Sequence, residues 1–218
     1  MTAHSTATVE FWLTTGAPVS GDMTAAPTQG KPTAIAGVLT NAADGDVVVC
    51  SGTNWGSVDR VQIASNVQAS TFDLLGCDST RESAGTAVAG SFQHYDVTKM
   101  TKLCPSSFTD NSTTPGSVSV ATFCDPSQTI PSPTTDAGSA TLEGYVDVCD
   151  ADYQALYEAY EMQDQRYLKI DLGDAGGYLI MPVTAVSMNW DLPIDGAVSY
   201  SIEFIKGSAT KHAFGPCT

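Results

Sequence analysis

The feature that most constrains the fold is a strict alternation of apolar and polar side chains near the C-terminus. Between residues 198 and 204, apolar residues take every second position: Val198, Tyr200, Ile202 and Phe204 alternate with Ser199, Ser201 and Glu203. A period of two is typical of a β-strand with one buried face and one solvated face. The pattern therefore predicts a strand in an antiparallel sheet.

Other segments carry the same signal in shorter form, separated by Gly and Pro turns. The predicted strands are 7–14, 47–50, 58–63, 71–75, 100–108, 118–124, 141–148 and 186–192. Pro182 predicts a sheet edge or a bulge just before the strand 186–192. Pro126, Pro131 and Pro133 favour an extended loop over 125–138. The fold class is thus mainly β, either a sandwich or a barrel.

One segment has helical spacing. Tyr153, Leu156, Tyr157 and Tyr160 follow one another at intervals of three and four residues, and Asp150 and Asp152 can cap the helix. Carboxylates at the N-terminal end of a helix interact favourably with its dipole. We interpret the tyrosines as core residues, and the acids at 147, 150 and 152 as capping groups rather than calcium ligands.

The chain divides into a main domain and a small inserted module. Residues 33–90 contain short strands with turns at about ten-residue spacing, which is typical of a compact all-β unit. The main domain then comprises 1–32 and 91–218, with a polar C-terminal arm at 207–218. A unit as small as the insert is marginally stable alone, so a disulfide between Cys50 and Cys77 is a reasonable expectation.

The charge balance excludes several functions. Lys and Arg total 9 and Asp and Glu total 24, for a formal charge of −15. This disfavours tight nucleic-acid binding and binding to anionic membranes. No apolar stretch is long enough to span a bilayer, and residues 1–6 lack the features of a secretory signal.

Acidic residues also form a block without positive charge. No Lys or Arg occurs between 103 and 165, where ten acids lie. A solvated acidic face is the ordinary explanation, but a field of one sign can also repel an anion that must pass without binding. The candidate lumen or solvated acids of the chain are Asp110, Asp125, Asp136, Glu143 and Glu203.

Metal, cofactor and catalytic motifs are not apparent. The cysteines at 50, 77, 104, 124, 149 and 217 form no Cys-x-x-Cys pair, and the three histidines lie far from one another and from any cysteine pair, so we expect no metal site. Nucleophile-elbow, phosphate-loop and aspartic-protease motifs are missing, and His94 is interpreted as structural. The sequence predicts neither an enzyme nor a cofactor. Six cysteines leave two alternatives open, buried thiols and up to three disulfides.

Several stretches together resemble the tail tube (major tail) proteins of long-tailed bacteriophages. They are Val9-Glu-Phe-Trp-Leu-Thr-Thr-Gly, Val120-Ala-Thr-Phe-Cys-Asp-Pro and Met188-Asn-Trp-Asp-Leu-Pro-Ile-Asp-Gly-Ala-Val-Ser-Tyr-Ser. Gly45-Asp-Val-Val-Val, Gly52-Thr-Asn-Trp-Gly and Thr71-Phe-Asp-Leu resemble a small β module inserted in some of these proteins. The likeness spans most of the chain, and its motifs are structural rather than catalytic.

The resemblance implies a β-sandwich or barrel with one flanking helix, assembled as hexameric rings that stack into a hollow tube. The partners it implies are further copies of the chain, with tail sheath, tail tip and tail terminator proteins as additional candidates. DNA would pass through the lumen without specific binding, and the protein would be a virion component assembled in the host cytoplasm. Six copies at −15 each give −90 per ring, which would discourage adhesion of DNA phosphates.

The cysteines are numerous for a protein assembled in a reducing cytoplasm. We hypothesise that some oxidise after virions leave the host, with Cys217 as the best candidate for a bond between subunits. Two other classes stay open as alternatives: a secreted or surface carbohydrate-binding β-sandwich module, and an acidic hydrolase with an unrecognised site.

Overall fold

The computed structural model describes residues 9–111, 115–120, 128–135, 138–173, 177–207 and 211–214, with backbone alone at 115–120, 128–135 and 211–214. The strands are β1 Glu10–Thr14, β2 Val19–Asp22, β3 Thr33–Ala36, β4 Val47–Ser51, β5 Val61–Ser65, β6 Thr71–Leu74, β7 Ser91–Tyr95, β8 Met100–Leu103, β9 Ser107–Asn111, β10 Pro115–Val120, β11 Gln128–Thr135, β12 Ser139–Tyr145, β13 Arg166–Asp171, β14 Gly177–Asp191, β15 Ser199–Lys206 and β16 Lys211–Phe214. A 3-10 helix spans Val97–Lys99, and the helix α1 spans Ala151–Met162.

The larger antiparallel sheet is strongly curved. Its strand order is β8-β1-β13-β14-β15-β12-β9, and β16 also pairs with β14. The two edge strands β8 and β9 are joined by residues 104–106 alone, a connection that reaches about 14 Å when extended. In a flat sheet of seven strands the edges would lie about 29 Å apart. The sheet must therefore curl until its two edges approach each other.

The interior of this curled sheet is the main hydrophobic core. Leu13, Leu142, Leu168, Ile202 and Phe204 are fully buried there. The rings of Phe11 on β1 and Phe108 on β9 lie with centroids 5.4 Å apart. This contact joins the two sides of the barrel-like fold across the gap between β8 and β9.

The smaller sheet also curls toward closure. Its order is β2-β7-β4-β5-β6-β3. The N–H of Thr24, just after β2, donates to the carbonyl of Ala36 in β3 at 2.9 Å, which brings the two edge strands together. Phe72 and Phe92 meet edge to face in the core, with centroids 5.5 Å apart. A third sheet consists of two strands, β10 and β11.

The two large sheets are joined by a third apolar cluster. Val47, Val61 and Ile63 from the smaller sheet pack with Met100 and Ile180 from the larger one. The strands β3 to β6 lie within the predicted inserted module, and β4 pairs with β7, which lies outside it and pairs in turn with β2. The module boundaries at 32/33 and 90/91 stay a prediction.

The predicted helix is present and packs as an amphipathic element. It starts after the N-cap residue Asp150 and ends at Gln163, which has a left-handed backbone at φ 50°. The prediction that the Asp150 side chain caps the helix was wrong, because that side chain makes no capping hydrogen bond. Leu156 and Ala159 are buried in the main core, and Tyr153 and Tyr160 pack against it. Tyr157 is 41 % exposed, so its interpretation as a core residue was wrong. In the part of the chain that the structure describes, no helix is long and apolar enough to cross a membrane.

The structure confirms a mainly β fold with a single α-helix in the described residues, and it confirms the alternation in β15, where Tyr200, Ile202 and Phe204 point inward. The predictions for one loop and two strands were wrong in detail. The segment predicted as a loop over 125–138 contains β11, since a two-stranded ribbon tolerates its prolines. The strand predicted at 58–63 lies at 61–65, and the one predicted at 100–108 is interrupted by residues 104–106.

Pro182 bears out the predicted bulge but not the predicted sheet edge. It lies in the interior of the sheet, not at an edge, and the bulge falls after it, between Ala185 and Ser187. On one side of β14, pairing with β16 ends at Ile180 and pairing with β15 starts at Val183. Pro182 has no N–H to donate, but it lies at the point where β14 changes its neighbour from β16 to β15. No hydrogen bond between strands is therefore lost there. Because of the bulge, Val186 points outward rather than into the core.

Candidate functional site: the polar face of the larger sheet

The outward surface of four adjacent strands, β14, β15, β12 and β9, is polar along its length. Strand register sets its side chains in rows across the sheet. The first row is Ser187, Glu203, Thr141 and Thr109; the second is Asn189, Ser201, Glu143 and Ser107; the third is Asp191, Ser199 and Tyr145. A fourth row continues the surface and consists of Thr184, Ile205, Ser139 and Asn111. Ile205 is the one aliphatic residue in the four rows. We call these four rows the polar face.

The polar face carries charge of one sign. The side chains on it that are charged at neutral pH are the carboxylates of Glu143, Glu203 and Asp191, and all three residues are exposed. No Lys or Arg belongs to the four rows. Hydroxyl and amide side chains occupy most other positions of the face, and water can hydrogen-bond to them. A face of this charge repels a polyanion rather than binding it.

The predicted acids lie in different environments. Glu143 and Glu203 both lie on the polar face, in neighbouring rows. Asp110 instead receives a hydrogen bond from the ammonium group of Lys206, whose side chain is 5 % exposed. Its charge is therefore paired, and it is not part of the polar face. Asp125 and Asp136 lie outside the described residues.

No sequence motif marks three other residues of the polar face, Asp191, Asn189 and Tyr145. The alternation in 186–192 placed Asp191 and Asn189 on the side away from the core, so the signal existed. What the sequence could not supply was the neighbour relationship of β14, β15, β12 and β9, since this depends on long-range pairing.

A cleft of about 440 Å³ opens on the polar face near the ends of β12, β14 and β15. Tyr145 at this cleft is 68 % exposed, and Glu143 and Asp191 also line it. The ring of Tyr200 lies beneath Gly144, where an added Cβ would come within 2.5 Å of its hydroxyl oxygen. Burial, followed by the nearby charge of Asp152, raises the pKa of Tyr200 to about 12.

The cysteines fall into two groups. Cys50 and Cys77 are buried in the smaller sheet, and Cys104 and Cys149 are exposed near the start of α1. Cys77 is a thiol that donates to the carbonyl of Ser57 at 3.2 Å, so the expected disulfide between Cys50 and Cys77 is not formed. Cys124 and Cys217 lie outside the described residues. The hypothesis of oxidative bonds between subunits stays a prediction.

The described residues contain no group of three or more His, Cys, Asp or Glu side chains able to hold a metal ion. His94 is fully buried, and its Nε2 lies 3.1 Å from Oδ2 of Asp46. This contact ties β7 to the turn before β4, which is a structural role.

Comparison with known proteins identifies no family. No protein-family model and no curated protein matches the chain. Among solved structures, the chain is similar to one described as the tail of an empty GTA particle computed with helical refinement in C6 symmetry. The match has 13 % sequence identity and a TM-score of 0.41, and it covers 56 % of this chain and 92 % of that one. A TM-score this low does not establish a shared fold.

Proposed function

We propose that the chain is a structural subunit of a phage tail tube, in which hexameric rings stack and the polar face lines the lumen. The observation that carries the proposal is the polar face itself, with three carboxylates, many hydroxyls and no positive charge across four strands. The sequence stretches that resemble tail tube proteins support it further. In this role the protein is a virion component rather than an enzyme, and it needs no cofactor.

The polar face has the electrostatics that a DNA conduit requires. Strong DNA binding depends on Lys and Arg that displace counterions from phosphates, and the face offers neither. At physiological salt, charges act over about 8 Å, so carboxylates on a tube wall repel phosphates that come close. DNA passing through would therefore be kept from the wall without being held at any point.

Self-assembly is supported by surfaces that the single chain leaves exposed. Within the described residues, β9 pairs with β12 alone, so its outer edge offers backbone N–H and C=O groups to another copy. In the turn between β14 and β15, Leu192 is 72 % exposed and Ile194 is fully exposed. Contacts between copies would bury these apolar side chains. Tail sheath, tail tip and tail terminator proteins are proposed as further partners, and assembly would take place in the host cytoplasm.

Negative-stain electron microscopy of the purified full chain over a range of concentrations tests the proposal. Hollow tubes with a regular axial repeat are the expected result. Particles that stay dispersed and monomeric at every concentration would contradict it.

One observation favours a second function, the binding of saccharides by a β-sandwich module. The cleft on the polar face combines the exposed ring of Tyr145 with the carboxylates of Glu143 and Asp191. An aromatic surface beside hydrogen-bonding groups is the usual composition of a small-molecule site. A glycan array probed with the monomer tests this function. Specific binding that is lost in Tyr145→Ala would support it over the tube.

A further inference from the structure

An apolar groove of about 540 Å³ follows the exposed side of α1. Its apolar lining comes from Val148, Tyr153, Tyr157 and Met162. Val148 is 66 % exposed, Met162 is 65 % exposed and Tyr157 is 41 % exposed. Apolar side chains that cluster in this way on a surface mark an interaction site more often than isolated ones do.

The border of the groove is acidic. Glu158 and Glu161 line it together with the apolar residues, and the last turn of α1 has no basic residue. A carboxylate near the C-terminal end of a helix faces the negative end of the helix dipole, which is unfavourable. Glu158 is partly compensated because its Oε1 lies 3.4 Å from the guanidinium of Arg166. Glu161 forms no ion pair among the described residues, and it accepts a hydrogen bond from the hydroxyl of Tyr157.

We propose that this groove binds a cationic amphipathic segment of a different protein. Apolar side chains of the segment would lie between Val148, Tyr157 and Met162, and its Lys or Arg side chains would pair with Glu161. This is the arrangement by which an amphipathic helix lies in a groove on its partner. Positive charge on the segment would relieve the unfavourable position of Glu161 at the end of the helix dipole.

Charge argues against a second copy of the chain as the occupant. The groove lining contains the carboxylates of Glu158 and Glu161 and no Lys or Arg. Contact between two such surfaces would bring acids together. The proposal concerns the side of α1 and does not depend on the assembly of tubes.

The test measures binding of two fluorescein-labelled synthetic peptides to the full chain by fluorescence anisotropy at near-physiological salt. One peptide is built of Leu and Lys with Leu at helical spacing, and the other has Glu in place of each Lys. We expect the Leu/Lys peptide to bind and the Leu/Glu peptide not to bind. The double variant Tyr157→Ser/Met162→Ser should weaken binding by about tenfold or more, the scale expected for losing central apolar contacts.

Two further variants make the test specific. Val38→Ser/Val97→Ser removes two valines that are 58 % and 61 % exposed and do not line the groove, so it should leave binding unchanged. Glu161→Lys keeps the apolar lining and should weaken binding of the Leu/Lys peptide.

Three outcomes would overturn the proposal. The first is absence of binding by the wild-type chain. The second is equal binding by the groove variant and its valine control, which would indicate attraction to net charge alone. The third is self-association, seen by sedimentation velocity, that Tyr157→Ser/Met162→Ser abolishes while neither peptide binds. That result would assign the groove to a second copy.

Discussion

Lys169 of β13 donates a hydrogen bond from its Nζ to the carbonyl of Gly45, at 2.6 Å, and so joins the larger sheet to the turn before β4 in the smaller one. The ammonium also lies 4.8 Å from the ring centroid of Tyr178. Burial lowers the pKa of Lys169, while the charges of Asp171 and Asp46 act against this effect. The two sheets thus meet through a polar contact as well as through the apolar cluster around Ile180.

Replacing Lys169 by Met should destabilise the protein. The substitution keeps the aliphatic length but leaves the Gly45 carbonyl without its donor, and an unsatisfied buried acceptor costs about 1–3 kcal/mol. Urea denaturation measures the change in the free energy of unfolding. Lys31→Met is the control. The Lys31 side chain is 70 % exposed, and its Nζ forms a surface ion pair with Asp78 at 3.8 Å. Its loss should therefore lower the free energy of unfolding much less. Unchanged stability in Lys169→Met would show that the contact does not hold the sheets together.

Alkaline pH should destabilise the fold through buried tyrosines. Burial raises the pKa of Tyr200 to about 12, and it also raises the pKa of Tyr95, Tyr167 and Tyr178. A phenol whose pKa is higher in the folded state loses its proton first in the unfolded state. The stability that it contributes is therefore complete below pH 10 and is lost as pH rises toward 12.

Tyr200→Phe isolates the largest of these effects. Ionisation of Tyr200 alone should lower the free energy of unfolding by on the order of 2–3 kcal/mol at pH 12. The variant should thus lose less stability than the wild type as pH rises above 10, in thermal unfolding followed by circular dichroism. Parallel curves for the two proteins would contradict the assignment.

Asp110 and Lys206 should behave as a coupled pair. Asp110→Asn leaves the Lys206 ammonium, whose side chain is 5 % exposed, without its counter-charge. Loss of one partner from a buried pair costs about 3–5 kcal/mol, and the cost here should be lower because Asp110 is 36 % exposed. The double variant Asp110→Asn/Lys206→Met should recover most of the loss. Additive effects in urea denaturation would show that the two side chains do not interact.

Much of the fold follows from local sequence patterns. The alternation in β15 and the spacing of Leu156 and Tyr160 depend on side chains close in the chain, and both elements were predicted correctly. Errors arose where long-range pairing decides the outcome. Pro182 is tolerated inside the sheet because β14 changes neighbours there, and no local pattern contains that information.

The candidate site could be predicted only in part, for the same reason. Glu143 and Glu203 were singled out as acids, and register places them on one face. Asp110 has the same chemistry and lies on an adjacent strand, but its side chain meets Lys206. Sequence reports the charge of a residue, whereas its role here depends on which strand lies beside it.

Oxidation should form disulfides between subunits without involving the buried cysteines. Cys104 and Cys149 are exposed, whereas Cys77 is buried and hydrogen-bonded. If subunits are joined after oxidation, non-reducing gels of assembled protein should show dimers and larger species that are lost in Cys217→Ser. Cys77→Ser should leave them unchanged. Migration as monomers throughout, with no bridges found by mass mapping, would reject the hypothesis.

Helical reconstruction of assembled particles by cryo-electron microscopy tests whether the polar face lines the lumen of a tube. The expected result is a hollow tube of stacked six-fold rings whose inner wall presents the rows that contain Glu143, Ser201 and Asn189. A tube with this surface on its outside, or buried between subunits, would contradict the account even if tubes form.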